Sequence, residues 1–120
     1  MNTENLPLVT VICNCYNQEL YVWEALESVV KQSYTNIELI VINNGSSDYS
    51  FDVIKNFFLQ YPETVFINLP TTISHNKAFN LAFKKSKGNF LIDLSADDRL
   101  LPDCIEKQVN FFLSQDENVG

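Results

Sequence analysis

The sequence predicts an α/β domain with a Rossmann-like, mainly parallel sheet in strand order 3-2-1-4, flanked by helices. Three observations carry this. Four short runs are almost unbroken apolar, as strands buried on both faces of a parallel sheet are. Amphipathic stretches with three- and four-residue spacing fill the gaps between them. Strand and helix alternate throughout, and right-handed crossovers with the usual doubly wound order then give the arrangement.

The first strand is predicted at Leu8-Val9-Thr10-Val11-Ile12-Cys13. A helix follows over Glu19–Lys31, with Trp23, Leu26 and Val30 on its apolar side. Leu39-Ile40-Val41-Ile42 is the second strand, and Phe51, Ile54, Phe58 and Tyr61 mark the second helix. Val65–Leu69 is the third strand. The third helix opens near Ser74 and turns Ala78, Phe79, Ala82 and Phe83 inward. Its end is read from Lys84, Lys85 and Lys87, which suit the helix dipole, followed by Gly88, which is free to turn left-handed. Phe90–Leu94 is the fourth strand. Pro102 is expected to open the fourth helix, where a missing N–H does no harm, with Ile105, Val109 and Phe112 facing inward.

One hundred and twenty residues fit a single domain, with 46% apolar residues to build a core. Eight basic against fifteen acidic side chains leave a net charge of -7, which argues against nucleic acid as the partner. No apolar run is long enough for a transmembrane segment, and residues 1–8 do not read as a signal peptide. Cys13, Cys15 and Cys104 form no metal-site spacing, so they read as buried thiols in a reducing, cytoplasmic setting.

The three polar segments after strands 1, 2 and 4 should open on one edge of such a sheet. They are Asn14-Cys15-Tyr16-Asn17, Asn43-Asn44-Gly45-Ser46-Ser47-Asp48 and Ser95-Ala96-Asp97-Asp98. The first turn has no glycine, which excludes a dinucleotide or P-loop phosphate cradle. A phosphorylated ligand would therefore need a divalent cation at Asp97 and Asp98, since hard cations take carboxylate and phosphate oxygens together. Two adjacent acids alone also fit a solvated turn and helix cap. Tyr16 offers a flat base an aromatic face, or packs over the strand end. Asn43 and Asn44 can read a base edge, or lead a turn into Ser47 or Asp48 as a cap. His75 and Asn76 can equally be ordinary first-turn residues.

These same residues resemble the amino-terminal, nucleotide-sugar-binding half of family 2 glycosyltransferases with the GT-A fold. Val9–Asn17 resembles the family's first strand and Tyr-Asn loop, and Ile40–Asp48 its second strand and acidic turn. His75–Gly88 resembles its Arg-Asn helix, and Leu94–Pro102 its Leu-Asp-x-Asp-Asp segment. The resemblance implies sugar transfer from a nucleoside diphosphate sugar, a UDP sugar first, to an acceptor hydroxyl with inversion, assisted by Mn2+ or Mg2+. The acceptor would be a glycan or lipid-linked glycan, with the full enzyme in the cytoplasm or peripheral at the inner membrane face. It implies a binding set of Cys15, Tyr16, Asn17, Asn43, Asn44, His75, Asn76, Ser95 and Asp97, with Asp97 and Asp98 at the metal. Departures are Asn43-Asn44 for an acid pair, His75 for Arg, and Ser95 for the first acid of the metal motif.

Family domains also continue well past this length. Residues 1–120 are therefore expected to be one truncated donor-binding region, inactive alone, with the catalytic base beyond Gly120. A degenerate relative that binds nucleotide or a partner without turnover, as an interaction module, is the alternative. A signalling receiver domain is disfavoured: it needs acids after strand 1 and a phosphorylatable Asp after strand 3, where this chain has Asn14–Asn17 and Leu69-Pro70-Thr71.

Overall fold

A computed structural model describes residues 6–119, with side chains as far as Gln115. Residues 1–5 and Gly120, on which part of the leader and chain-end readings fall, lie outside the described residues. Four parallel strands, β1 (Val9–Cys15), β2 (Ile37–Asn44), β3 (Val65–Leu69) and β4 (Phe90–Ser95), lie in the order β3-β2-β1-β4. The helices are α1 (Val22–Val30), α2 (Ser50–Gln60), α3 (His75–Lys85) and α4 (Cys104–Val119). This is the expected order, with the succession of strands reversing between β1 and β4 while all four stay parallel.

Strand alternation divides the core in two. Val9, Val11, Cys13 and Cys15 of β1 join Leu39 and Val41 of β2 under α1, α2 and α4. Ile12, Ile40 and Ile42 face the opposite side, where Ala78 and Ala82 let α3 approach closely. Only the central β1 and β2 are buried on both faces. The outer strands are partly exposed, and on β4 Leu91, Asp93 and Ser95 share the exposed side.

Several local expectations are corrected. The helix α1 begins at Val22, after a turn in which the Gln18 carbonyl accepts from the Tyr21 and Val22 amides. Its buried face is Val22, Ala25, Leu26 and Val29; Val30 is exposed, and Trp23 is half-buried, edge-on to Phe57. In α2 the fully buried residues are Ser50, Ile54 and Phe57, with Phe51, Phe58 and Tyr61 at the margin. Phe83 is exposed, because α3 turns its alanines and not its aromatics toward the sheet.

Two punctuation signals act differently from expectation. Ser74 caps α3 by accepting from the Lys77 amide, and Lys84 and Lys85 occupy the last turn as expected. The helix then ends at Ser86 in an extended conformation, so Gly88 is no left-handed cap. Its amide donates to Thr10 Oγ1, and an added Cβ would lie 2.4 Å from that oxygen. Pro102 precedes α4 by two residues, and its carbonyl accepts from the Ser33 amide. Ile105 and Val109 are buried as expected, whereas Phe112 is half exposed and stacks on Phe90.

Candidate functional site

The parallel ladder carries polar residues to its last rungs. Asn68 of β3 lies beside Asn43 of β2, Asn43 beside Cys15 of β1, and Asn14 beside Ser95 of β4. The strands run further than their apolar cores suggested, so Asn14, Cys15, Asn43 and Asn44 are strand residues and not loop. Tyr16, exposed to 49%, follows β1 directly, and Ala96-Asp97-Asp98 follows β4. Every strand presents its carboxyl end here, so the three polar segments do converge on one edge, at the switch point between β1 and β4.

Cys15 is fully buried in the core beneath α1, which corrects its place among the binding side chains. Only its backbone lies at the edge. Burial pushes both the Cys13 and Cys15 thiols up from their ordinary range, so neither is a nucleophile near neutrality.

The first two loops are fastened together by Asn17, which holds a left-handed φ of 51°. Its Oδ1 accepts from the Ser47 amide at 2.8 Å and the Asp48 amide at 3.3 Å, and its own amide donates to Ser46 Oγ. Asp48 continues the clasp, accepting from the Ser50 amide through Oδ1 and from the Glu19 amide through Oδ2. Partial burial pushes its carboxyl up, but hydrogen bonds from the Ser50 hydroxyl and amide and the Glu19 amide outweigh that. The result lies below the usual carboxylate range.

The two adjacent asparagines separate in role. Asn44 lies on the α3 side and is doubly engaged: its Nδ2 donates to the Ile73 carbonyl and its Oδ1 accepts from the Ile73 amide, both at 2.9 Å. Asn43 lies on the α1 side, 3% exposed, and donates from Nδ2 to Asn68 Oδ1 at 2.8 Å. Its Oδ1 is buried without a partner. Of the two, Asn43 is the one that keeps an unpartnered acceptor.

His75 opens α3 and bridges toward β4. Asn14 Nδ2 donates to its Nδ1 at 3.1 Å, which places the ring proton on Nε2, 3.1 Å from Asp93 Oδ2. Both ring nitrogens are thus engaged within the fold. Asn76 is exposed in the first turn of the same helix. Asp93 and Ser95 both lie on the exposed side of β4.

Asp97 and Asp98 are exposed and line a cleft of about 390 Å³ together with Tyr21, Glu24 and Arg99. Ser95 Oγ donates to Asp97 Oδ1 at 2.5 Å, and the Arg99 amide donates to Asp98 Oδ1. Among the described residues no three His, Cys, Asp or Glu side chains gather into a metal cage. Two exposed carboxylates instead suit a hard cation that also takes ligand phosphates and water. Sequence reasoning missed what holds this loop. Arg99 pairs with Glu24 at 2.6 Å, Ser28 Oγ accepts from the Leu100 amide, and Gln32 donates to the Leu101 carbonyl. One side of α1 thereby fixes the acidic loop, through partners about 70 residues away in sequence that no local pattern reveals. A second cleft, of about 330 Å³, lies near the amino ends of β2 and β3 and contains none of these groups.

Known proteins place this architecture. The model of the family described as Glycosyl transferase family 2 matches residues 10–120. A Haemophilus influenzae protein described as an uncharacterized glycosyltransferase is 37% identical over 109 residues, 91% of this chain and 44% of its own. S. aureus TarS 1-349 in complex with UDP shares the fold with TM-score 0.79 at 24% identity, over 89% of this chain and 32% of that one. Mannosyltransferase PcManGT from Pyrobaculum calidifontis, in complex with GDP-Man and Mn2+, does so with TM-score 0.70 at 23% identity, over 78% and 28%. The protein belongs to glycosyl transferase family 2, with the GT-A fold of those structures. It spans less than half the length of the Haemophilus relative.

Proposed function

We propose that this chain is the donor-binding region of a glycosyltransferase that moves a sugar from a nucleoside diphosphate sugar to an acceptor hydroxyl with inversion. The observation that carries the reading is the convergence of Tyr16, Asn43 and the Asp97-Asp98 pair at the carboxyl edge of β1, β2 and β4. Tyr16 supplies an exposed ring for a base to lie against, and Asn43 a buried acceptor for its edge. Asp97 and Asp98 would hold Mn2+ or Mg2+, which when bound offsets the charge developing on the leaving diphosphate. Neighbours that bind UDP in one case, and GDP-Man with Mn2+ in another, support this class of donor. Asn17 and Asp48 hold the first two loops in place, and Glu24 holds Arg99 beside the acids.

A binding module without turnover is the second reading. It is favoured by the chain from Asn14 through His75 to Asp93, which engages both ring nitrogens of His75 and leaves the imidazole no open nitrogen to take a proton in this arrangement. Calorimetric titration of UDP with Mn2+ or Mg2+, and again in chelator, tests the shared core of both. Metal-dependent binding that is lost in Asp97→Ala is expected. Equal affinity with and without metal would remove the role given to Asp97 and Asp98, and absence of nucleotide binding would end the donor reading. Acceptor-dependent sugar release from residues 1–120 would argue against the binding module.

A further inference from the structure

We infer that Asn68, on β3, is a positioning residue that sets which nucleobase class the site accepts. The inference rests on the donor-binding reading, with the base lying at the carboxyl ends of β1 and β2. An Asn amide can present either its carbonyl or its NH2 to a ligand, and nothing within Asn43 decides between them. The Asn43 Nδ2 is held by Asn68 Oδ1 at 2.8 Å, across the rung that pairs the two residues. That leaves Asn43 Oδ1 as the buried atom without a partner.

Reversing both amides would keep one hydrogen bond between the pair. It would also leave the buried Asn43 NH2 with no acceptor, while turning the Asn68 carbonyl to water. An orphaned buried N–H is the rarer and costlier defect, because an under-satisfied carbonyl keeps weaker alternatives. Asn68 is itself exposed, so its free Nδ2 is satisfied by solvent in the observed orientation. The pair is therefore biased toward one state, with the Asn43 carbonyl offered to the ligand.

A carbonyl acceptor calls for a ring N–H donor. Uracil has one at the imide position and guanine at the lactam position; cytosine and adenine present a bare ring nitrogen there. The ligand class is a nucleoside diphosphate whose base carries a ring N–H. Glycine or alanine at position 68 would free the Asn43 amide to rotate, and the site would lose its preference without losing its shape.

The test measures the affinities of UDP, CDP, GDP and ADP by calorimetry for the wild type, Asn68→Ala and Asn68→Asp, with thermal melts to confirm folding. A carboxylate at 68 can only accept, so it must keep the Asn43 NH2 turned toward it. The wild type and Asn68→Asp are expected to prefer UDP over CDP, or GDP over ADP. Asn68→Ala should lose about fivefold of that ratio, the value of one neutral hydrogen bond. The pyrimidine and purine pairs separate uracil from guanine as the base. A residue with only a structural role would weaken both members of a pair equally. An unchanged ratio in folded Asn68→Ala, with UDP or GDP still bound, overturns the role of Asn68 and leaves the donor reading standing. Failure of the wild type to bind any of the four overturns both.

Discussion

Asn17 Oδ1 lies 2.8 Å from the Ser47 amide and binds the loop after β1 to the loop after β2. The contact is possible because Asn17 takes a left-handed φ of 51°, which a short polar side chain tolerates better than most. Tyr16 is its chain neighbour, so the same clasp sets where the exposed ring stands over the edge of the sheet. Position and stability are coupled at this residue.

Asn17→Ala should therefore act on both. Removing the Oδ1 contacts and leaving a Cβ at positive φ should cost about 2–3 kcal/mol in chemical denaturation. Asn17→Gly relieves the backbone but not the lost hydrogen bonds, so it should recover roughly 1 kcal/mol of that. Nucleotide affinity should fall in both variants. If the glycine variant binds UDP as the wild type does, the clasp does not position Tyr16.

Gly45 is a sharper case. Its φ of 65° is left-handed, and an added Cβ would lie 2.3 Å from the Thr72 amide nitrogen and 2.5 Å from the Thr71 carbonyl carbon. Those are backbone atoms and cannot swing aside. Gly45→Ala should destabilise the fold by about 2–4 kcal/mol, combining overpacking with the left-handed cost. It should also separate the loop after β2 from the segment before α3, where Thr72 Oγ1 donates to the Gly45 carbonyl. A melting temperature within 2–3 degrees of wild type, read as roughly below 1 kcal/mol, would contradict this packing.

Acid should loosen the same pair of loops through Asp48. Its carboxyl is lowered in the folded state, so the stability it contributes is complete above the unfolded value and is lost as pH falls through the folded one. Asp48→Asn should cost about 1 kcal/mol near neutrality, because one of two backbone amides loses its acceptor. The difference between wild type and variant should shrink as the pH drops below about 4. A gap that stays constant from pH 7 to pH 3 would show that the charge of Asp48 does not matter to the fold.

Much of the architecture was legible because it depends on local pattern. Apolar runs such as Leu39–Ile42 and the alternation with helices were enough for strand number and order. Helix faces were less legible: Phe83 and Phe112 follow the helical period, yet the approach of Ala78 and Ala82 to the sheet and the stacking of Phe112 on Phe90 decide their exposure. Gly88 mimicked a helix cap because three lysines precede it, whereas its partner is Thr10, 78 residues earlier. Side-chain polarity concealed the ends of β1 and β2, since ladder bonds are made by backbone and continue through Asn14, Cys15, Asn43 and Asn44. The burial of Cys15 was legible in principle, from its alternation with Val9, Val11 and Cys13. The pairings of Asn43 with Asn68, His75 with Asp93 and Arg99 with Glu24 were not, because each joins segments that only the tertiary fold brings together.

The two adjacent asparagines give the most direct test of the site. In sequence Asn43 and Asn44 are equal candidates for reading a base. In the fold Asn44 both donates to and accepts from the Ile73 backbone, at 4% exposure, and Asn43 retains an unpartnered oxygen. Asn44→Asp would keep the acceptor for the Ile73 amide but set a carboxylate against the Ile73 carbonyl, with no donor between them. Burying that charge, or the proton needed to neutralise it, should cost about 2–3 kcal/mol and improve no base contact. Asn43→Asp places a carboxylate beside Asn68, whose exposed amide can turn to donate to it. The remaining carboxylate oxygen then accepts from a ring N–H with a charge-assisted bond, about twice as strong as the neutral one. UDP over CDP should therefore sharpen on the order of 1 kcal/mol in Asn43→Asp, with Asn44→Asp showing lower stability and no gain in the ratio. Denaturation curves and paired titrations of UDP and CDP distinguish the two. A gain in selectivity at Asn44, with the fold intact, would reverse the assignment and return Asn43 to a packing role.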